Sequence, residues 1–142
     1  MSREIIDENL FNLIPQRPPI VMVDLLRNVT ADAAQTGLLI RPTNIFIQDG
    51  HLQEPGLIEH IAQSAAAFAG YKGYSQGLPP KLGYIGEIKK MHIHVLPEAG
   101  KRLETQLNVL GEAGGITLLA AQTCVDGQVV AEGQMKIFLK ED

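Results

Sequence analysis

HLQEPGLIEHIAQSAAAFAG, residues 51–70, is the stretch whose reading decides the fold. Proline suits a first helical turn, so a helix is expected to begin near Pro55. Glycine terminates helices, which places its end between Gly70 and Gly73. Within it Ile58, Ile61, Ala62, Ala65, Ala66, Ala67, Phe68 and Ala69 leave no broad polar face. A helix that is apolar on nearly every side is buried on nearly every side. Yet its first half carries Glu59, His60, Gln63 and Ser64, and His51 stands just upstream. Glu59 and Gln63 are four apart and share a face, and His60 and Ser64 form a second such pair.

Working outward, the flanking segments supply the cover for this helix. Residues 4–14 (EIIDENLFNLI) are amphipathic at helical spacing and stop at Pro15, so a short helix is expected there. Strands are expected at roughly 20–29 and 34–41, then an irregular stretch over 42–54 containing the turn pair Asp49-Gly50. After the loop YSQGLPP everything reads as strand: LGYIGEIKKMHIHV, a turn at Pro97-Glu98-Ala99-Gly100, KRLETQLNVL, a turn with Gly114-Gly115, ITLLAAQTCV, and QVVAEGQMKIFL beyond the hairpin pair Asp126-Gly127. The order is α+β: a curved antiparallel sheet wrapped around one long central helix, in a single domain over residues 1–142. One small sheet covers only part of such a helix. The rest is expected to meet a second subunit, with the alanines and glycine of 65–70 allowing another element to approach closely.

Composition narrows the function classes. The 142 residues are 45% hydrophobic and 20% charged, as in ordinary globular proteins. One cysteine, Cys124, excludes an internal disulfide framework and suits a reducing compartment. The charged N-terminus lacks the apolar run of a signal peptide, and no stretch has the length of a membrane span, so a cytoplasmic protein without membrane attachment is expected. A net charge of -4, with no Lys/Arg cluster interleaved with aromatics, gives no nucleic-acid footprint.

The candidate chemistry rests on few side chains. A buried carboxylate must be hydrogen-bonded, paired or protonated. Glu59 therefore reads in two ways: as a general acid, or as a first-turn carboxylate satisfied by Arg or Lys and by the helix dipole. His51 likewise reads as a base or as a solvated loop side chain. His60 points about a third of a turn from Glu59, so their cooperation does not follow from adjacency. His92 and His94 share a strand face but lack Cys or carboxylate companions, so no metal is expected. Cys124 reads as a packed strand residue. No nucleophile elbow, phosphate loop or dinucleotide fingerprint is present.

In these residues the chain resembles the 3-hydroxyacyl-acyl carrier protein dehydratases of the FabZ and FabA type, which have the hot-dog fold. The likeness runs over nearly the whole length. LIPQRPPIVMVD (13–24) is similar to the family's opening Leu-Pro-His-Arg-x-Pro…Val-Asp. Gly50-His51 and EPGLIEHIAQSAA (54–66) are similar to its Gly-His loop and Pro-Gly…Glu helix start. YIGEIKKMHIHVLPEAGKRLETQLNVL and CVDGQVVAEGQMKIFL follow its later strands.

The resemblance implies that His51 takes the α-proton and that Glu59, from the other subunit of a dimer, assists departure of water. It implies that the Gly56 N–H, an unpaired donor at the helix start, faces the thioester carbonyl. Gln63 would act in support, His60 is counted with the substrate-binding residues, and the acyl chain would lie in an apolar tunnel along the helix. No cofactor is implied. Only seven residues separate His51 from Glu59, because the family's Phe-Pro-Gly-Arg-Pro-type loop is shortened, and Gln16 replaces the opening histidine in what reads as a structural position. That short form is closer to a divergent branch that accompanies aryl polyene and flexirubin pathways, sometimes with another hot-dog subunit.

The leading expectation is a hot-dog homodimer that dehydrates 3-hydroxyacyl thioesters on acyl carrier protein to trans-2-enoyl thioesters. The alternatives are a catalytically silent partner subunit or acyl-binding module, in a hetero-oligomer or higher oligomer, and third an acyl thioesterase. An acidic carrier would need local basic residues, for which Lys81, Lys89, Lys90 and Arg102 are candidates, although Lys also serves plain edge protection.

Overall fold

The computed structural model describes residues 4–75, 77 and 83–139. Its long helix α1 spans Glu54–Ser75. Its 22 residues correspond to a length of about 33 Å at 1.5 Å per residue. Among the described residues nine strands accompany it: β1 (Ile5–Ile6), β2 (Leu25–Arg27), β3 (Ala33–Leu39), β4 (Ile47–Gln48), β5 (His51–Leu52), β6 (Gly83–Ile93), β7 (Arg102–Ala113), β8 (Ile116–Val125) and β9 (Gln128–Leu139). Seven of them form one antiparallel sheet in the order β1-β2-β3-β7-β8-β9-β6. Helix α1 touches β2, β3, β6, β7, β8 and β9, so the sheet wraps around it as the sequence led us to expect.

Alternation explains which face turns inward. Ala34, Thr36 and Leu38 of β3, Leu103, Thr105 and Leu107 of β7, and Leu119, Ala121 and Thr123 of β8 are buried against the helix. Their neighbours Arg102, Glu104 and Asn108 face out. On the helix, Leu57, Ile61, Ala65, Ala67 and Phe68 meet that face. The hairpin β8–β9 turns at Asp126-Gly127, with φ of 51° and 79°, the twin positive values of the two-residue turn that matches strand twist.

Four segments depart from the sequence reading, each for a physical reason. Residues 4–14 are not an α-helix. Ile5 and Ile6 pair with Leu26 and Leu25, and only Asp7–Asn12 coil, as a 3₁₀ helix, after Asp7 turns at φ 50°. Leu10, Leu13 and Ile14 still reach the core. The strand foreseen at 20–29 shrinks to Leu25–Arg27, because the backbone of Met22 bonds to helix side chains instead of a neighbouring strand. The stretch foreseen as irregular contains the hairpin β4–β5, closed by Asp49-Gly50 at φ 54° and 76°. Finally, the small-residue end of α1 is met by the chain's own N-terminal segment. A Cβ on Gly70 would collide with the backbone carbonyl of Leu13.

The connection into β6, with Lys81, lies outside the described residues. No helix among the described residues is long and apolar enough to cross a membrane.

Candidate active site

The first half of α1 presents its polar side chains in two directions. Toward the sheet, His60 and Ser64 meet a row of threonines that crosses three strands. Thr36, Thr105 and Thr123 are register partners on β3, β7 and β8. Thr36 Oγ1 donates to Ser64 Oγ at 2.7 Å. His60 is fully buried, with Nδ1 2.6 Å from Met22 O and Nε2 2.8 Å from Thr105 Oγ1. A carbonyl can only accept, so Nδ1 carries the proton and Nε2 accepts from the Thr105 hydroxyl. Thr105 in turn lies 2.7 Å from Thr123 Oγ1 and is left to accept its proton. Burial pushes the His60 pKa down to about 4, outweighing the Met22 hydrogen bond and the Asp24 charge, which both favour the protonated ring. The imidazole is neutral and both nitrogens are taken. This corrects the expectation of a substrate-binding role: His60 holds helix, sheet and residue 22 together.

The other direction belongs to Glu59 and Gln63. Gln63 is buried, and its amide makes three bonds: Met22 N–H donates to Oε1 at 2.6 Å, and Nε2 donates to Ile20 O at 2.8 Å and to Glu59 Oε1 at 2.9 Å. Glu59 is half-buried on the turn above. The four-residue spacing read in the sequence is thus a direct contact. No Arg or Lys supplies it among the hydrogen bonds and ion pairs of the described residues.

His51 sits on β5 of the small hairpin, half-exposed, three residues before the helix starts. Its Nδ1 is 2.9 Å from Asp49 O, so Nδ1–H donates there and the lone pair of Nε2 is left as the basic atom. The hairpin is fastened at both ends. Gln53 Nε2 donates to Gln48 O and His51 O, each at 3.0 Å, and Leu52 N–H donates to Pro97 O at 2.8 Å. Leu52 itself is fully buried and anchors the strand.

Gly56 differs from expectation. Its N–H donates to Gln53 O at 3.0 Å, sharing that carbonyl with Leu57 N–H, so it is not the unpaired donor expected at this helix start. Its lack of a side chain serves packing, since a Cβ there would press on Leu52 and Phe46.

A mainly apolar cavity of about 40 Å³ opens between helix and sheet, lined by Ala65, Phe68 and Ala69, by Val109, Leu119 and Ile137, and by Glu112 and Thr117. It begins six residues along α1 from Glu59, about 9 Å at 1.5 Å per residue. Of the basic residues proposed for a carrier, Arg102 is committed to Asp24 through bonds of 2.9 and 3.1 Å, crossing the bare backbone of Gly37. Lys89 lies 3.9 Å from Glu87, and Lys90 is exposed at a bulge of β6. His92 and His94 stack at 6.2 Å, and His94 reaches Glu132 at 3.2 Å; no group of three His, Cys, Asp or Glu among the described residues could hold a metal.

The threonine row and the Ile20–Met22 segment are what sequence reasoning missed. The signal was there, since Thr36 and Thr105 each occupy an inward position between buried apolar residues, and Thr123 follows buried Ala121 on the same face.

Known proteins with this layout agree on a lineage. The chain is 29% identical to the 3-hydroxyacyl-[acyl-carrier-protein] dehydratase FabZ of Helicobacter pylori (strain P12), with 94% of this chain and 90% of that protein covered. It is 31% identical to the FabZ of Rhizobium leguminosarum bv. trifolii (strain WSM2304), covering 94% and 87%. Among solved structures, the dehydratase heterocomplex ApeI:P from Xenorhabdus doucetiae superposes with a TM-score of 0.85 at 19% identity, over 94% of this chain and 91% of that one. The fold is the hot-dog fold. The family of ApeP-like dehydratases (ApeP dehydratase) matches residues 8–142, and the chain belongs to that family.

Proposed function

We propose that this chain dehydrates 3-hydroxyacyl thioesters carried on acyl carrier protein, as a dimer in which acid and base come from different subunits. The observation that carries the reading is the Glu59 carboxylate, held by Gln63 on a helix that otherwise buries apolar surface and close-packed hydrogen bonds. In the reaction the Cα–H bond breaks toward Nε2 of His51, and the Cβ–O bond breaks as Glu59 delivers a proton to the departing hydroxyl. Water leaves, the C2–C3 double bond forms, and a trans-2-enoyl thioester remains. The imidazole ends with the substrate's α-proton and the carboxyl has given its own proton to the water, so His51 must lose a proton and Glu59 regain one before the next turnover.

The sheet supports a dimer by the contrast between its two edges. Edge β1 has two residues, a length too short to template pairing, whereas edge β6 has eleven and exposes Ile85 and Ile88. Strand β6 pairs with β9 on one side and has no partner strand on the other among the described residues. Pairing of β6 with its counterpart would extend both sheets into one.

The test is incubation with a 3-hydroxyacyl-carrier thioester, following enoyl absorbance for wild type, Glu59→Gln and His51→Ala. Loss of one proton-transfer group costs about 10²–10⁴-fold, so both variants are expected to fall at least 100-fold. A Glu59→Gln protein as active as wild type contradicts the mechanism.

A second reading, as the supporting subunit of an active partner, draws on two observations: the Xenorhabdus doucetiae relative is a heterocomplex, and the shortened loop leaves His51 half-exposed. It predicts no turnover by the chain alone and turnover after co-purification with another hot-dog chain.

A further inference from the structure

Gln63 has no freedom in how its amide is turned. Met22 N–H can only donate, so it requires the amide oxygen, and it lies 2.6 Å from Oε1. Ile20 O can only accept, so it requires Nε2, at 2.8 Å. These two backbone groups, some forty residues from Gln63 in sequence, decide the orientation of the amide. The second N–H of Nε2 then points at Glu59 Oε1, 2.9 Å away. His60 completes the arrangement by donating to Met22 O at 2.6 Å, so residue 22 is gripped at both its N–H and its carbonyl by successive turns of α1.

We infer that Gln63 is a positioning residue for Glu59, and that the Ile20–Met22 segment, by fixing the Gln63 amide, dictates which carboxylate oxygen faces substrate. This rests on the dehydratase reading and extends it. Oε1 accepts from Gln63 and so stays unprotonated when the carboxyl is charged with a proton. The transferable proton therefore sits on Oε2, the only oxygen that can hand it to a leaving hydroxyl. Without the Gln63 donor the carboxyl can turn about its last torsion, a broad and soft one, and present either oxygen in either state. The effect is on the reacting step and not on uniform substrate binding.

The experiment uses the full chain, with its partner subunit where activity requires one, and compares wild type, Gln63→Met and Gln63→Glu. Each is assayed on a 3-hydroxyacyl-carrier thioester across pH and crystallised. Gln63→Met removes both donors at similar volume. Gln63→Glu is isosteric, still accepts from Met22 N–H, and regains a donor only when protonated. Misplacement of a catalytic group can cost about 100-fold, so kcat is expected to fall about 10- to 100-fold with KM within about twofold in both variants. The Gln63→Glu deficit should shrink as pH is lowered. In the crystals Glu59 should hold one conformer in wild type and several in Gln63→Met. Folded variants with wild-type kcat, or an unmoved Glu59 in Gln63→Met, overturn the inference. Should wild type show no turnover in any assembly, the dehydratase reading fails by that control, and the Glu59 conformers alone decide whether Gln63 positions it.

Discussion

The two halves of the central helix solve burial in opposite ways. From Leu57 to Ser64 the helix hides His60, Gln63 and Ser64 by giving each polar atom a named partner on another element. From Ala65 to Gly70, Phe68 apart, it hides by subtraction, with side chains so small that the backbone of Leu13 can lie against Gly70. Hydrogen bonds are directional, so the first half sets register: it fixes where Ile20–Met22 runs and where Glu59 points. Close packing is only steric, so the second half sets distance and leaves room for an apolar cavity. Chemistry belongs where direction is controlled.

The comparison is broken most severely by taking partners from the first half. In His60→Leu the carbonyl of Met22 and the Thr105–Thr123 hydroxyl chain lose their partner inside the core. Each orphaned buried polar group costs about 1–3 kcal/mol, so we expect roughly 4 kcal/mol lost in urea unfolding.

Next comes pH. The folded His60 has a pKa of about 4 against 6.5 for the unfolded chain, so between those values the unfolded state binds the extra proton. The contribution is fully present above pH 6.5, declines as pH falls and is exhausted near pH 4. At 1.36 kcal/mol per unit the window is worth about 3 kcal/mol. His60→Gln keeps one donor and one acceptor but does not titrate. Its stability should therefore fall less than wild type's between pH 7 and 4, by about that amount. Equal pH slopes for the two proteins would show that the imidazole is not held neutral.

A smaller effect is expected from the second half. Gly70→Ala sets a methyl against backbone, and overpacking of this kind costs about 3 kcal/mol. Alanine's helix propensity returns up to about 1 kcal/mol, leaving a net loss of about 2 kcal/mol by the same unfolding measurement. A neutral or stabilising Gly70→Ala would mean that Leu13 does not touch the helix.

Much of this was legible in the sequence because periodicity reports burial directly. The apolar run after Pro55, the turn pairs Asp49-Gly50 and Asp126-Gly127 and the strand-like stretches 101–110 and 116–125 pointed to a sheet around one helix. What escaped was structure made by side chains bonding to distant backbone. LIPQRPPIVMVD looks like a strand through Val21, Met22 and Val23, and nothing local says that Met22 will satisfy itself on Gln63 and His60. The same blindness affected the site. Spacing put Glu59 beside Gln63 but could not say that His60, next in sequence, is fully committed to the core. The Gly56 N–H was read from helix geometry as unpaired, and the fold closes it onto Gln53.

The central claim is that Glu59 of one subunit works with His51 of another. Mixing two inactive variants, His51→Ala and Glu59→Gln, tests it most directly. Random pairing makes half the dimers mixed, and each mixed dimer of an isologous pair holds one intact site and one doubly damaged one. The account predicts recovery of about a quarter of wild-type enoyl formation on co-expression or subunit exchange. Mixed dimers that form and stay as inactive as either parent would contradict it.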